Sequence, residues 1–515
     1  MKTLYYNGSI LTLDGAARPQ ALLTENGRIA ALGDKTSLET PDAHLVNLRG
    51  AALLPGFIDP HSHLSQVASG LMQVSLSGAA DEAEIARRIQ TFIDETQPDW
   101  VMARDFDGAP LPLEALDRLA PGHPLVIQYQ SGHMGLFNSA ALSALGVTAD
   151  TPSPEGGRIG VENGALTGYL EENAYFAYMR KAPMAGLDAW MNAYAQAQRK
   201  YASHGITTVQ EGMYVEQMAP MYQALLRSGL LRLDLVAYAE RPAFESAKAA
   251  YPNAFLRYDG HFKLGGVKIF LDGSPQGRTA WMRQPYADDP AYFGYGTLED
   301  AAVMEALELA AHNRCQLLAH CNGDAAAAQF IRCVAQVEER LPELKALRPV
   351  IIHAQLLGLD QAEQAAQLGM AASFFTAHTK YWGDTHIRNF GMERASLISP
   401  AATAKRVDLP FTFHQDAPVI EPDMLETVQC AAERRTRAGV ALGPQERVSV
   451  EDALIAVTRT AAWQYFEEHE KGTLTPGKRA DLTVLSRDPL QTPIADIGAI
   501  QVLQTIKDGE TVYEA

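Results

Sequence analysis

The stretch LLPGFIDPHSHL, residues 53–64, decides the fold that we predict for this chain. In it an apolar run ends in two histidines, His61 and His63, that lie two residues apart. Because successive side chains of a β-strand point to opposite faces, both imidazoles would project from the same face. Neutral imidazole nitrogens suit Zn²⁺ and similar metals, so the pair can bind one ion. Alone, the pair is weak support, because two histidines without a metal explain it more often.

Eight short apolar or β-branched runs occur along the chain. They lie near residues 52–59, 205–210, 231–238, 263–271, 315–320, 349–353, 369–375 and 409–415. Several are followed by segments with helical spacing of apolar residues, and eight is the strand number of a (β/α)8 barrel. We therefore predict an α/β protein with a TIM barrel over residues 51–464.

The two ends of the chain share a different pattern. Residues 1–50 contain short β-rich runs around turn signals such as Asn7-Gly8, and residues 465–515 contain ADLTVL and QVLQTIKDGETVYE. We predict that the two ends pair into one composite β-sandwich. Residues from about 67 to 190 interrupt the first βα step with their own helical pattern, which predicts an inserted subdomain that helps to shape the active site.

Composition narrows the classes of partner. The 515 residues carry a formal net charge of −18, with 47% hydrophobic and 20% charged residues, and show no basic cluster. This balance predicts a globular protein that binds a small molecule, with neither nucleic acid nor a membrane as partner. The four cysteines form no CxxC pair and MKTLYYNGSILTLDG lacks signal-peptide features, so we expect a cytoplasmic protein. The oligomeric state stays open between a monomer and a homodimer.

Titratable residues recur where the later predicted strands end. Lys268 lies in LGGVKIFLDG, His320 ends CQLLAH, His353 ends PVIIH and Asp416 follows LPFTFHQ. The carboxyl ends of barrel strands meet at one face, where active sites lie, so these side chains are predicted to converge with the first histidine pair.

Other interpretations remain for single residues. Lys268 could form an internal ion pair with Asp272, and His320 or His353 could be an ordinary hydrogen-bonded core histidine. Cys321 could be a thiol nucleophile, but a neighbour of His320 in a strand points to the opposite face, which favours a buried cysteine. We find no GxSxG elbow, Walker P-loop or GxGxxG.

Several segments together carry a family resemblance. They are LPGFIDPHSHL, HPLVIQYQSGHMGLFNSAAL, PEGGRIGVENGALTGYLEENA, GITTVQEG, VKIFLDGSPQGRTAW, LLAHCNGDAA, IIHAQ, QDAPV and KGTLTPGKRADLTVL. Over nearly its whole length the chain resembles the amidohydrolase superfamily and, within it, the YtcJ-like branch, amidohydrolase family 3. The resemblance implies one or two divalent ions, zinc being expected, and a lysine that is often carboxylated to bridge two ions. The implied ligands are His61, His63, Lys268, His320, His353 and Asp416.

The chain departs from that branch at two places. Ile352 stands where a glutamate commonly precedes the sixth-strand histidine, and His414-Gln415 stand where Gly-Ser commonly precedes the final aspartate. We therefore expect an unusual substrate pocket. The residues predicted to contact substrate are His133 and Glu172 in the insertion and Arg278, His378 and Trp382 after strand ends, although turn hydrogen bonding or ordinary loop exposure would also explain them.

The resulting hypothesis is a hydrolase that cleaves an amide-type, non-peptide carbon–nitrogen bond of a small molecule with metal-activated hydroxide. Asp416 would accept the proton of the water and return it to the leaving nitrogen. A deaminase or an esterase would use the same centre. A barrel that has lost catalysis and serves in binding or regulation is the alternative from a different class.

Overall fold

The computed structural model describes residues 2–15, 18–129, 134–183 and 185–515. The chain forms two compact units, one from Met1–Leu64 with Ala197–Ala515 and the other from Ser65–Gln196. Within the described ranges, no helix has both the length and the apolar character needed to cross a membrane.

The first unit contains a curled sheet of eight parallel strands. In spatial and chain order they are Phe57–Ile58, Ile206–Tyr214, Asp234–Glu240, Phe262–Phe270, Gln316–Cys321, Val350–His353, Ala371–Phe374 and Phe411–Phe413. Two backbone hydrogen bonds join the segments that follow the first and last strands, from His63 N to Ala417 O at 2.9 Å and from Asp416 N to His61 O at 3.2 Å. The predicted barrel is therefore confirmed.

Helices of this unit connect and follow the strands. They are Ala219–Ser228, Phe244–Ala250, Asp300–Asn313, Asp324–Glu338, Leu359–Gln367, His378–Tyr381, Gly383–Ala395, Ala401–Arg406, Met424–Glu433, Val450–Ala456 and Arg459–Gln464. Asp324–Glu338 shows why such segments are helical: it buries Phe330, Val334 and Val337, spaced three or four residues apart, on one face. Apolar strand residues such as Val236 and Leu318 pack into a buried core.

Two further sheets of this unit come from the ends of the chain. One contains Lys2–Tyr6, Ala21–Glu25, Arg28–Gly33 and Ala43–Asn47; the other contains Ser9–Ile10, Ala52–Pro55, Leu482–Leu485, Val502–Lys507 and Glu510–Glu514. Leu22 of the first sheet and Leu53, Leu482 and Ile506 of the second belong to one buried cluster. The composite β-sandwich predicted from the two termini is confirmed.

The predicted first barrel strand, 52–59, is divided at Gly56, so this detail of the prediction was wrong. Gly56 N donates to Asp481 O at 2.8 Å, on the side of the terminal sheet, whereas Phe57 N donates to Gly205 O at 2.9 Å, beside the second barrel strand. A Cβ at position 56 would meet Thr207 Cγ2 at 2.4 Å. Glycine therefore permits the close approach at which the chain leaves one sheet and enters the other.

The second unit has a six-stranded sheet of its own. Its strands are, in spatial order, Gly157–Glu162, Ala165–Glu172, Met134–Phe137, Leu125–Tyr129, Val101–Phe106 and Val74–Ser75. Helix Glu82–Thr96 begins at Asp81, whose side chain accepts a hydrogen bond from Glu84 N. That helix packs Ile85, Ile89 and Ile93 into the core of the unit.

Candidate metal centre

All six residues predicted as ligands come together at the carboxyl ends of the barrel strands. His61 and His63 follow the first strand, Lys268 lies in the fourth, His320 in the fifth and His353 in the sixth, and Asp416 follows the eighth. Asp416 Oδ1 lies 3.5 Å from His61 Nε2 and 3.3 Å from His63 Nε2.

The two later histidines complete the group, with His353 beside the second carboxylate oxygen of Asp416 and His320 beside His353. His353 Nε2 lies 3.0 Å from His320 Nδ1 and 3.9 Å from Asp416 Oδ2. One potential ligand atom each from His61, His353 and Asp416 lies within 4.8 Å of the others. This spacing places several nitrogen and oxygen donors around one point, as a divalent cation requires.

Burial sets the charges of these groups. Burial, together with neighbouring positive groups, lowers the pKa of His61 and His353 well below the ordinary value and that of His320 to about 4. These imidazoles are neutral at pH 7, so each has a lone pair for a metal. Burial alone would raise the pKa of Asp416, but the surrounding histidines, His63 first, hold it well below its usual range, so this carboxyl is ionised.

His63 has a different environment. Burial disfavours its charged form, but Asp416 and Glu211 outweigh this effect and raise the pKa of His63 to about 9. Glu211 Oε1 lies 3.7 Å from His63 Nδ1, on the side away from Asp416. Asp416 Oδ1 itself is buried and has no hydrogen-bond partner among the described residues. The carboxylates of Asp416 and Glu211 that stabilise a positive charge on His63 can equally stabilise a bound cation in place of its proton.

Lys268 is fully buried beside these groups, with Nζ 3.4 Å from His61 Nε2. Burial lowers its pKa to about 7. The alternative ion pair with Asp272 is wrong, because the Asp272 carboxylate accepts hydrogen bonds from the backbone amides of Trp281, Asn322 and Gly323 at 3.0, 2.9 and 2.7 Å.

Sequence reasoning missed Gln210, which fixes the orientation of His61. Its Oε1 lies 2.7 Å from His61 Nδ1, and its amide nitrogen donates to Pro60 O and Tyr465 Oη at 2.7 and 2.9 Å. His61 therefore carries its hydrogen on Nδ1 and leaves Nε2 as the lone-pair nitrogen. Gln210 and Glu211 both lie in the second barrel strand, so the strand-end signal that identified the other residues could have found them.

His414 was noted in the sequence only as a departure from the family pattern. It is fully buried, and its Nε2 lies 3.0 Å from His353 Nδ1. Its other nitrogen, Nδ1, lies 2.8 Å from Ser373 Oγ. His414 thus contacts a candidate ligand directly.

The residues predicted to contact substrate lie in different places. His378 and Trp382 pack together, with ring centroids 4.5 Å apart, and both pack on Phe375, whose ring lies 6.4 Å from that of His353. Arg278 instead forms an ion pair with Asp288 at 2.8 Å. Glu172 is exposed and ends a strand of the second unit, and His133 lies outside the described residues.

A parallel barrel with a buried group of imidazoles and a carboxylate at the carboxyl ends of its strands is typical of metal-dependent hydrolases. The model of the amidohydrolase family matches residues 44–513. The chain therefore belongs to the amidohydrolase family.

Individual relatives are similar over the full length. The chain is 26% identical over 540 residues to a putative amidohydrolase, YtcJ, of Bacillus subtilis, covering 100% of both chains. It is 26% identical over 532 residues to an N-substituted formamide deformylase of Arthrobacter pascens, covering 99% of this chain and 97% of the relative. In fold it resembles an uncharacterized metal-dependent hydrolase from Pyrococcus furiosus, with a TM-score of 0.79 and 23% identity over 95% of this chain and 100% of the other.

Proposed function

We propose that this protein hydrolyses an amide-type, non-peptide carbon–nitrogen bond of a small molecule, using zinc. The observation that carries the proposal is the buried Asp416 Oδ1, which has no hydrogen-bond partner among the described residues and faces the imidazoles of His61 and His63. The full-length similarity to a formamide deformylase supports the choice of an amide-type bond. The residues that would hold the ion are His61, His63, His320, His353 and Asp416.

A divalent ion bound here supplies Lewis acidity and lowers the pKa of water from about 15.7 toward 7. Asp416 is ionised at neutral pH and lies among the ligand nitrogens, so it can accept the proton that the attacking water loses. The same carboxyl then gives that proton to the departing nitrogen as the carbon–nitrogen bond breaks. The products are a carboxylic acid and an amine, and Asp416 returns to its carboxylate form.

His378 is the residue best suited to bind the carbonyl oxygen of the substrate. Its Nδ1 lies 3.0 Å from His386 Nε2, and His386 Nδ1 is buried with no hydrogen-bond partner among the described residues. A buried N–H without an acceptor is rarer and costlier than a lone pair without a donor, so His386 carries its hydrogen on Nε2 and donates it to His378. His378 then carries its own hydrogen on Nε2 and can donate it to substrate, while Trp382 and Phe375 favour an apolar or aromatic acyl group.

Lys268 decides how many ions the centre holds. With a pKa of about 7, a substantial fraction of its amine is neutral at pH 7 and can attack carbon dioxide, forming a carbamate with loss of one proton. A carbamate on Lys268 would add anionic oxygen ligands and so favour a second ion, whereas an ammonium group would repel one. Two zinc ions per chain are expected in the presence of bicarbonate, and one in Lys268→Met.

Metal analysis of the purified protein and an amide screen test the proposal together. The expected result is bound zinc together with hydrolysis of N-formyl compounds or N-acyl amines to a carboxylic acid and an amine, or opening of cyclic amides to the corresponding amino acid. His353→Asn should lower zinc content and activity, whereas His312→Asn, a matched change of an exposed histidine, should alter neither. Release of ammonia would indicate a deaminase, and cleavage of esters alone would indicate an esterase. Absence of bound metal together with inactivity after metal addition would overturn the proposal in favour of a non-enzyme.

A further inference from the structure

We infer that His414 is a positioning residue that fixes which nitrogen of His353 carries hydrogen, and so makes His353 a ligand. The inference rests on the proposed function, because it concerns His353 as a metal ligand. His414 follows the eighth barrel strand and lies between His353, at the end of the sixth, and Ser373, in the seventh. His414 and Ser373 are fully buried and His353 is 3% exposed, so water does not offer alternative partners.

These side chains belong to one continuous chain of close polar contacts. Ser373 Oγ lies 2.8 Å from His414 Nδ1, and His414 Nε2 lies 3.0 Å from His353 Nδ1. His353 Nε2 lies 3.0 Å from His320 Nδ1, and His320 Nε2 lies 3.2 Å from Gly273 O. Each imidazole therefore has a partner at both nitrogens.

The number of ring hydrogens limits the order in which donors and acceptors can follow one another along this series of contacts. A neutral imidazole carries one ring N–H, so a histidine that binds a cation through Nε2 carries its hydrogen on Nδ1. For His353 that hydrogen points to His414 Nε2, which must accept it. His414 then carries its hydrogen on Nδ1 and donates it to Ser373 Oγ. Ligation by His353 Nε2 is compatible with this order alone.

The same atoms also support the opposite order. Ser373 then donates to His414 Nδ1, His414 Nε2 donates to His353 Nδ1, and His353 Nε2 donates to His320 Nδ1. In that order His353 Nε2 carries a hydrogen and the lone pair of His320 Nδ1 is occupied, so neither nitrogen can bind a cation. Binding of an ion selects the first order, and its removal by a chelator favours the second.

Substitution of His414 separates this role from simple space filling. In His414→Phe the His353 Nδ1 hydrogen loses its buried acceptor, so the zinc dissociation constant should rise about 10- to 100-fold, the usual effect of removing the partner of a ligating histidine. His414→Gln offers an amide oxygen as acceptor and should bind zinc with nearly wild-type affinity. His386→Phe is the matched control, because His386 is equally buried but bonded to His378, and its zinc affinity should match the wild type.

The tautomer itself is read by ¹⁵N NMR of histidine-labelled protein. We expect His353 and His414 to carry hydrogen on Nδ1 with zinc bound and on Nε2 after chelation, a change that a space-filling residue would not show. Two results would overturn this inference but leave the proposed function standing. They are unchanged zinc affinity in a folded His414→Phe variant and an Nε2 hydrogen on His414 in the zinc-loaded protein. If His414→Phe does not fold, the tautomers of the wild type decide. Absence of zinc binding by the wild type would overturn the proposed function and this inference together.

Discussion

The barrel has a buried cluster of charged and titratable groups at each end of its strands, and the two clusters differ in how charge is compensated. At the carboxyl ends, Asp416 lies among histidines, of which burial keeps His61 and His353 neutral, whereas Asp416 and Glu211 raise the pKa of His63. At the amino ends, Asp234 forms ion pairs with Lys471 and Lys507, and His261 Nδ1 lies 2.8 Å from its other oxygen.

Distances between potential ligands do not separate the two clusters. Asp234, His261 and Asp508 offer ligand atoms within 4.8 Å of one another, as His61, His353 and Asp416 do. The amino-end cluster already has its cations, however, because lysine ammonium groups neutralise the carboxylates. The comparison teaches that a candidate metal site is recognised by neutral imidazole nitrogens beside a carboxylate, where an ion-pair cluster has lysine ammonium groups instead, and not by the spacing of ligand atoms alone.

The same substitution should have opposite consequences in the two clusters, and the largest effect is expected at Asp416. Asp416→Asn should lower kcat/KM by about 10²- to 10⁴-fold, because the amide cannot carry the proton from water to the leaving nitrogen. The measurement is steady-state kinetics with zinc analysis of the same sample. Asp496→Asn, a change of an exposed carboxylate, is the control. Turnover near the wild-type rate in Asp416→Asn would remove Asp416 from the mechanism.

Asp234→Asn should instead destabilise the fold. It leaves the ammonium groups of Lys471 and Lys507 buried without this carboxylate, and removal of one partner of a buried ion pair costs about 3–5 kcal/mol. Urea unfolding followed by circular dichroism measures the loss, and zinc content should stay at the wild-type level. A variant of unchanged stability that loses zinc would show that the amino-end cluster, too, binds metal.

Removal of the metal should have an intermediate effect on stability. At a free zinc concentration 100 times the dissociation constant, binding stabilises the folded chain by about 2.7 kcal/mol, so a chelator should lower the thermal midpoint by a corresponding amount. The shift should be the same in Asp234→Asn, because the two clusters are independent. A shift that disappears in this variant would contradict the separation of the two clusters.

The smallest effect concerns pH. Burial alone would raise the pKa of Asp234, but the charges of Lys471 and Lys507 hold it well below the ordinary value. A carboxyl whose pKa is depressed by folding contributes stability that is present above its unfolded pKa of about 3.9 and is lost as the pH falls through the folded value. The difference in stability between wild type and Asp234→Asn should therefore stay constant near neutral pH and shrink only below about pH 4. A difference that shrinks already between pH 7 and 5 would contradict the assignment.

Much of the fold could be predicted, because apolar runs and strand-end polar residues are local signals. The division of residues 52–59 at Gly56 could not, because the pairing of Ala52–Pro55 depends on Leu482–Leu485, more than 400 residues later in the chain. Local sequence cannot show which distant strand lies alongside.

The site was predictable to the extent that its residues end apolar runs. Lys263 and Lys268 lie in the same strand, yet Lys263 pairs with Glu467 at the amino end whereas Lys268 faces His61. The two lysines differ in their position along the strand, since Lys263 lies near its amino end and Lys268 near its carboxyl end. Gln210 and His414 also lie at the ends of predicted apolar runs, but that position does not show whether a polar residue contacts a ligand or lies outside the site.

The pairing of Ala52–Pro55 with Leu482–Leu485 also has a consequence for synthesis of the chain. A ribosome makes the chain from its amino end, so the strand that leads into the first barrel strand can pair early with Ser9–Ile10 on one edge, whereas its other edge stays unpaired until Leu482–Leu485 has emerged. During that interval an apolar strand edge is open to pairing with other chains. Loss of the last few dozen residues should therefore be seen in cells first as aggregation of the nascent protein, before any defect of catalysis could be measured.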